Sequence, residues 1–80
     1  MTIGQRAAIA IKERAWANDT TFEEECDNID MHDSNLRSWA KGKANPSANA
    51  LANMYLQGYD IAYILTGAKN DGKQISSTDR

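Results

Sequence analysis

Residues 36–47 read LRSWAKGKANPS, and this stretch decides the fold. A short helical pattern ends in Lys41-Gly42-Lys43, and Pro46-Ser47 then opens another helical pattern. Glycine just after a helix and serine just before one are common signals for helix ends. We therefore expect a helix, a sharp turn and a further helix, with cations gathered where the first of these helices ends.

Length and composition limit what this chain can be. Eighty residues, of which 41% are hydrophobic, fit one small globular domain, and no run approaches the roughly 20 apolar residues of a membrane span. The run at residues 9–11 is too short for a secretory signal. The single cysteine, Cys26, excludes an internal disulfide and favours a reducing compartment. We expect a soluble cytoplasmic domain.

The negative charge is concentrated in one part of the chain. The formal net charge is −2, but residues 21–40 carry six carboxylates against one cation, a local balance of −5. DNA-binding proteins usually carry a basic surface, so the total argues mildly against one. The distribution of charge favours a DNA-binding protein, because the acids are densest in residues 23–27, whereas Arg37, Lys41 and Lys43 lie together downstream. Net charge alone does not decide the function.

Hydrophobic periodicity and capping residues predict five helices and give no support for strands. The expected helices cover about residues 3–16, 21–29, 33–41, 48–57 and 61–66. His32 or Asp33 would cap the third helix, Ser47 the fourth and Asp60 the fifth. Residues 68–80 are polar, so we expect a domain at 1–67 followed by a flexible, disordered polar tail.

Apolar residues at helical spacing predict the core. The expected inward-facing residues are Ile3, Ala7, Ile11, Ala15, Phe22, Cys26, Ile29, Leu36, Trp39, Leu51, Met54, Tyr55 and, less firmly, Ala48. Trp16 could close the first helix against the core or lie exposed. Tyr59 and Tyr63 could belong to the core or to a dimer surface.

The break between the second and third helices carries its own signals. Thr20 and Thr21 each stand three residues before a glutamate, which is the spacing of a capping box. Asp30 tolerates the left-handed backbone of a helix-ending position better than most residues do. Met31 would then supply an apolar contact beneath the turn. Two helices joined by such a turn have the spacing of a helix-turn-helix.

On these residues the chain resembles the phage repressor and Cro group of helix-turn-helix domains, also called the Xre-like family. The matching pieces are Thr21-Phe22-Glu23, Cys26, Ile29, Met31, Leu36-Arg37-Ser38-Trp39, Gly42-Lys43, Pro46-Ser47 and Tyr63-Ile64-Leu65-Thr66-Gly67. The resemblance covers about residues 3–67 and needs no gap across residues 21–47. It implies a compact, all-α, five-helix, lambda-repressor-like domain.

Three departures from the family pattern stand out. Glu25 occupies a position that is usually apolar, so we expect the second helix either to rotate or to expose that side chain. Asp30 replaces the customary turn glycine. The connection between the first two helices is several residues longer than usual.

The resemblance implies that the third helix reads DNA in the major groove. The residues at the matching positions, including its exit loop, are Asp33, Ser34, Asn35, Arg37, Ser38, Lys41 and Lys43. Arg37 is the leading candidate for a base contact, since arginine can bond guanine in bidentate fashion; it could also be an ordinary solvated arginine. Asp33 could accept a hydrogen bond from cytosine or pair with Arg37 one turn along.

Phosphate contacts would come from the end of this helix. Lys41 and Lys43 would set register and affinity, and their placement also suits a plain helix C-cap. Asn45, Ser47 and the hydroxyls of Thr20 or Thr21 could add neutral donors.

The leading interpretation is a sequence-specific DNA-binding regulator, a repressor of phage or mobile-element type that binds double-stranded operator DNA as a homodimer through helix five and its flanks. The alternative is a protein-interaction module that uses its acidic face. An enzyme is least supported, because the glutamates at 23–25 suit a solvated helix start rather than a catalytic pair. We expect no cofactor, small-molecule substrate or membrane contact, and one histidine (His32) with one cysteine gives no zinc set.

Overall fold

The computed structural model describes residues 1–68 and contains, within that range, five α-helices and no strand. The helices are α1 (Ile3–Asn18), α2 (Phe22–Asn28), α3 (Asp33–Ala40), α4 (Ala48–Leu56) and α5 (Ile61–Thr66). The all-α, five-helix prediction is confirmed. The predicted tail, apart from Ala68, lies outside the described residues. No helix of the described part is long and apolar enough to cross a membrane.

Each helix begins at a side-chain cap, which matters because the helices are only six to sixteen residues long. The capping residues are Thr2, Thr21, His32, Ser47 and Asp60. The caps predicted at His32, Ser47 and Asp60 are thereby confirmed. Of the two capping boxes predicted for α2, the one that forms joins Thr21 to Glu24.

Each helix also ends at a residue with a left-handed backbone. These residues are Asp19, Asp30, Gly42, Gly58 and Gly67. At the end of α2 the amide of Met31 bonds the carbonyl of Cys26 and the amide of Asp30 bonds that of Asp27, both at 3.0 Å. This pair of bonds is a Schellman motif with Asp30 in the left-handed position. The expectation for Asp30 is confirmed, with φ at 57°.

Helix α1 lies at the centre of the fold and packs against α2, α3 and α5. Its inward face is made of small and branched residues, with Ala7, Ile11 and Ala15 buried as predicted. The buried core contains Ala7, Ala8, Ile11, Cys26, Ile29, Leu36, Trp39, Met54, Tyr59 and Ile64. Tyr59 therefore belongs to the core. Trp16 does not, since 87% of its surface is exposed. Phe22, which was predicted to face inward, is also exposed, so that prediction is wrong.

The predicted inner face of α4 is partly wrong. Met54 is buried as expected and Leu51 is half-buried, but Tyr55 is 68% exposed and Ala48 is also exposed. The side-chain amide of Asn53 donates to the carbonyl of Ile29 at 3.1 Å. This bond ties α4 to the end of α2. Relative to the predicted inner face, α4 is therefore rotated about its axis so that Tyr55 faces solvent.

Candidate nucleic-acid interface

Helices α2 and α3, the two helices of the predicted helix-turn-helix, are joined by residues 29–32. The Schellman motif fixes the end of α2. The ring Nδ1 of His32 accepts a hydrogen bond from the amide of Ser34 at 3.2 Å and so fixes the start of α3. Both sides of the turn are held by local bonds, which sets the direction in which α3 leaves it.

Helix α3 has one buried side and one exposed side. Leu36 and Trp39, three residues apart, are 8% and 4% exposed and pack in the core, which confirms the prediction for both. Helical geometry then turns Ser34, Asn35 and Arg37 to solvent, and all three are exposed. The two remaining predicted residues of this helix, Asp33 and Ser38, are half-buried.

Asp33 does not pair with Arg37. Its carboxylate lies 3.3 Å from Nδ1 of His32, and within residues 1–68 this is the sole approach of a carboxylate to a cationic or imidazole group inside ion-pair range. The i, i+4 pair offered as one reading of Asp33 is therefore not formed. Arg37 keeps its guanidinium free of any carboxylate in the described part of the chain.

The exit of α3 carries the two lysines and is anchored to α1. Lys41 is the C-cap of α3, and the amide of Lys43 bonds the carbonyl of Ser38 at 2.9 Å. Both lysine side chains are exposed. The loop that follows is held where the Gly4 amide donates to Oδ1 of Asn45 at 2.9 Å. The cations at the end of α3 thus stand on a fixed loop.

The neutral groups suggested from the sequence as phosphate donors make hydrogen bonds within the fold, mostly as acceptors. Oδ1 of Asn45 accepts from α1, and the Ser47 hydroxyl accepts from the amide of Ala50 at 3.1 Å. The Thr20 hydroxyl donates to Glu25, and that of Thr21 caps α2. Of these groups only the Thr20 hydroxyl acts as a donor in the bonds given, so the side-chain amide of Asn45 and the hydroxyls of Ser47 and Thr21 keep their donors for a phosphate.

Two arginines of α1 hold the fold together, which the sequence did not reveal. The guanidinium of Arg6 donates to the carbonyls of Ile64 at 2.8 Å and Leu65 at 3.1 Å, at the end of α5. That of Arg14 donates to the Gln57 carbonyl and lies 3.8 Å from the ring centroid of Tyr59. No short motif marks such partners, because they lie more than 40 residues away along the chain.

Glu25 is buried, which corrects both alternatives that the sequence offered for it. The residue is only 2% exposed. Its carboxylate accepts hydrogen bonds from the Thr20 hydroxyl and, at 3.5 Å, from the side-chain amide of Asn18. The expectation that residues 23–25 form a solvated acidic face holds for Glu23 and Glu24, which are exposed, and is wrong for Glu25.

The other acids of this region form an acidic depression beside the turn. Its carboxylates belong to Glu23, Glu24, Asp27, Asp30 and Asp33. In the described residues no group of three or more histidine, cysteine or acidic side chains is arranged to hold a metal ion. The depression therefore supplies negative potential next to the start of α3, without a chelating geometry.

Cys26 and Tyr59 are held neutral. Burial raises the pKa of the Cys26 thiol to about 11, and the carboxylate of Asp33 adds to the shift. Burial also raises the pKa of Tyr59 to about 12, against the opposing effect of Arg14, and its hydroxyl has no hydrogen-bond partner. A thiol that stays protonated is a poor nucleophile, so Cys26 acts as a core residue, as predicted.

Helices α4 and α5 share an exposed apolar surface. Tyr55, Leu56 and Leu65 are 68%, 77% and 43% exposed. Together with Ala48, Leu51, Ala52 and Ile61 they line one shallow depression that contains no charged residue. This α4–α5 surface includes part of helix five, the element expected to carry a dimer contact.

Comparisons with protein-family models, curated protein sequences and solved structures found no match to this chain. Its resemblance to the phage repressor group rests on the residues quoted above.

Proposed function

We propose that this protein is a sequence-specific DNA-binding regulator, a cytoplasmic repressor of phage or mobile-element type that occupies operator DNA. The observation that carries the proposal is the two-sided character of α3. Leu36 and Trp39 lock the helix to the core, while Ser34, Asn35 and Arg37 project outward. A rigid helix that presents an unpaired arginine and short polar side chains suits direct reading of base edges in a major groove.

Lys41 and Lys43 supply the phosphate contacts in this proposal. Both are exposed at the end of α3, on a loop that α1 holds in place. Such contacts fix register and raise affinity for any sequence, while the choice between sequences stays with Arg37 and its neighbours. Two fixed cations in line with the reading helix offset part of the negative potential of the acidic depression.

We further propose that the DNA-bound form is a homodimer joined through the α4–α5 surface. One domain of this size makes too few base contacts for strong selectivity, whereas two copies read half-sites about one helical turn apart. A surface that holds Tyr55 and Leu56 in solvent and carries no charge favours contact with an identical surface, because no like charges meet across the two-fold axis.

The test is selection of bound duplexes from a random-sequence library by the full chain, followed by anisotropy titrations at two salt concentrations. Arg37→Ala should weaken the selected duplex by about 1–3 kcal/mol and relax the preference at one position. Lys43→Ala should weaken all duplexes alike and reduce the salt slope by about one. Enrichment of no sequence, or identical binding by wild type and Arg37→Ala, would refute the assignment.

The acidic depression favours a second candidate, a module that binds a basic protein surface. Five carboxylates beside the start of α3 would repel a phosphate backbone and attract lysines and arginines. The triple variant Glu23→Gln/Glu24→Gln/Asp27→Asn separates the two functions. If DNA is the partner, the triple variant should bind DNA more tightly than wild type does. If the protein is instead an interaction module, wild type should retain no duplex even at low salt.

A further inference from the structure

A second surface feature adjoins the acidic depression, and Glu23 and Asp33 lie beside Phe22, Leu36 and Arg37 along their common border. It is an open groove of about 770 Å³ between α1, the start of α2 and α3. Ala8 and Leu36 are buried at its floor, and Ile9 is half-buried beside them. Phe22, at the first position of α2, stands at its edge with 45% of its surface exposed. The groove is therefore apolar inside, with an aromatic side chain left in solvent.

Two cations line the same groove. Lys12 of α1 and Arg37 of α3 are both exposed, and neither side chain makes a hydrogen bond or ion pair with another residue of the described part. The fold thus leaves two positive charges beside an apolar surface without using them for its own stability. A complementary partner has apolar side chains in the middle and carboxylates at the edge.

The shape of the groove selects the class of partner. It is open to solvent along its length, whereas small-molecule sites bury most of the ligand surface. On the α1 side, Gln5, Ile9 and Lys12 follow one face of the helix over about 10 Å, roughly two helical turns. An open apolar channel of that length fits one face of a short helix, with anchors at i, i+3, i+4 and i+7.

We propose that this groove binds an acidic amphipathic helix from a protein partner, with its carboxylates on Lys12 and Arg37 and its apolar face against Ile9, Phe22 and Leu36. If the proposed DNA-binding function also holds, the peptide and the operator compete for Arg37. The partner would then release the DNA. The peptide site itself does not depend on that function.

The test starts from a displayed library of 16-residue helices with randomised apolar positions on one face and Asp or Glu fixed along its edge. The enriched peptide is labelled and titrated by anisotropy against the full chain. Lys12→Gln and Arg37→Gln should each weaken binding about threefold, and the double variant about tenfold. Phe22→Ser should weaken it more than about fivefold. Lys43→Gln, the charge-matched control outside the groove, should bind like wild type.

Amide shifts in ¹⁵N spectra locate the peptide. The proposal requires them at Ile9, Phe22, Leu36 and Ala40, and it holds if the peptide with Gln in place of Asp and Glu loses about tenfold in affinity. No enrichment from the library, equal affinity of the Gln peptide, shifts centred on the α4–α5 surface, or octanoate binding the groove more tightly than the peptide would each overturn it.

Competition is measured separately, with the duplex selected above. Displacement of that duplex by the peptide supports the link to DNA release, and simultaneous binding of both overturns it. Peptide binding by a chain that selects no duplex leaves the groove assignment standing and refutes the DNA-binding proposal alone.

Discussion

The hydroxyl of Thr20 donates a hydrogen bond to the carboxylate of Glu25, which is 2% exposed. Thr20 lies in the connection after α1, and Glu25 lies inside α2, so the bond ties the connection to the helix that follows it. The side-chain amide of Asn18 approaches the same carboxylate at 3.5 Å. A buried carboxylate is stable only while such donors satisfy it.

Thr20→Val should destabilise the protein by about 2–3 kcal/mol, because it leaves Glu25 buried without its main donor. Glu25→Leu should cost less, because the remaining hydroxyl is neutral and lies 3.5 Å from the Ala15 carbonyl. The double variant should recover much of the Thr20→Val loss, since both polar partners are then gone. Urea unfolding of the four proteins gives the coupling energy.

Thr66→Val is the control for this cycle. Its hydroxyl donates to the Ala62 carbonyl at 2.7 Å and accepts from the Ala68 amide at 3.1 Å, both in exposed positions, so the loss should stay within about 0.5 kcal/mol. Equal losses in Thr20→Val and Thr66→Val would contradict a special role for the buried bond.

Gly4→Ala should destabilise the protein by about 1–3 kcal/mol. A Cβ atom at this position would fall inside contact distance of the Ala44 backbone carbonyl, and a backbone atom cannot turn aside as a side chain can. At an open helix position the same change stabilises by nearly 1 kcal/mol through helix propensity, so the sign of the effect is diagnostic. Ala17→Gly, at an exposed site in α1, measures that propensity in the same helix. A more stable Gly4→Ala protein would show that the loop does not rest on α1.

Asp30→Gly should stabilise the protein by about 0.5–1 kcal/mol. The residue has φ of 57°, where a Cβ is disfavoured, and glycine adopts this conformation freely. Asp27→Gly, inside α2, should instead lose about 0.3 kcal/mol, the difference between the helix propensities of aspartate and glycine. Asp30→Asn removes the charge but keeps a side chain that tolerates the left-handed backbone. If it raises the free energy of unfolding as much as Asp30→Gly does, the effect is electrostatic and the backbone explanation is contradicted.

The helix ends were predictable from the sequence because their causes are local. Ser47, Asp60 and Gly67 act within a few residues of their own position, and the structure places them as caps and a left-handed end. The rotation of α4 was not predictable in the same way. Its sequence is apolar at most positions, so periodicity permits several inner faces, and the bond from Asn53 to Ile29 chooses among them.

Partners distant in sequence account for the other differences. In the sequence Arg6 looks like an ordinary surface charge. In the structure its guanidinium donates to a carbonyl at the end of α5, 58 residues away along the chain. Glu25 was expected to rotate away or lie exposed because its position is usually apolar. Its donor, Thr20, belongs to a connection whose conformation no sequence pattern describes. On α3 the spacing of Leu36 and Trp39 was enough to predict that Ser34, Asn35 and Arg37 face outward, but Asp33, which was expected to project with them, is half-buried. Whether Asp33 would turn toward Arg37 or His32 depends on rotamers, which spacing does not determine.

Alkaline pH should destabilise the protein, and Tyr59 should carry part of the effect. Its pKa is raised from 10.0 to about 12, since burial opposes ionisation. The folded state holds this proton more tightly than the unfolded state does. Its contribution to stability is therefore complete below pH 10 and is lost as the pH rises toward 12. The loss should reach about 2–3 kcal/mol, and Cys26, with a raised pKa of about 11, adds a similar loss from pH 9 upward.

Tyr59→Phe isolates the tyrosine contribution. At pH 8 the variant should be as stable as wild type or more stable, because the hydroxyl it removes is buried without a hydrogen-bond partner. Between pH 10 and 12 its urea midpoint should fall less steeply than that of wild type. Tyr55→Phe is the matched control, since Tyr55 is 68% exposed and should follow the wild-type curve. If both variants show the same pH dependence, burial of Tyr59 does not shift its ionisation, and the alkaline loss is then not carried by Tyr59.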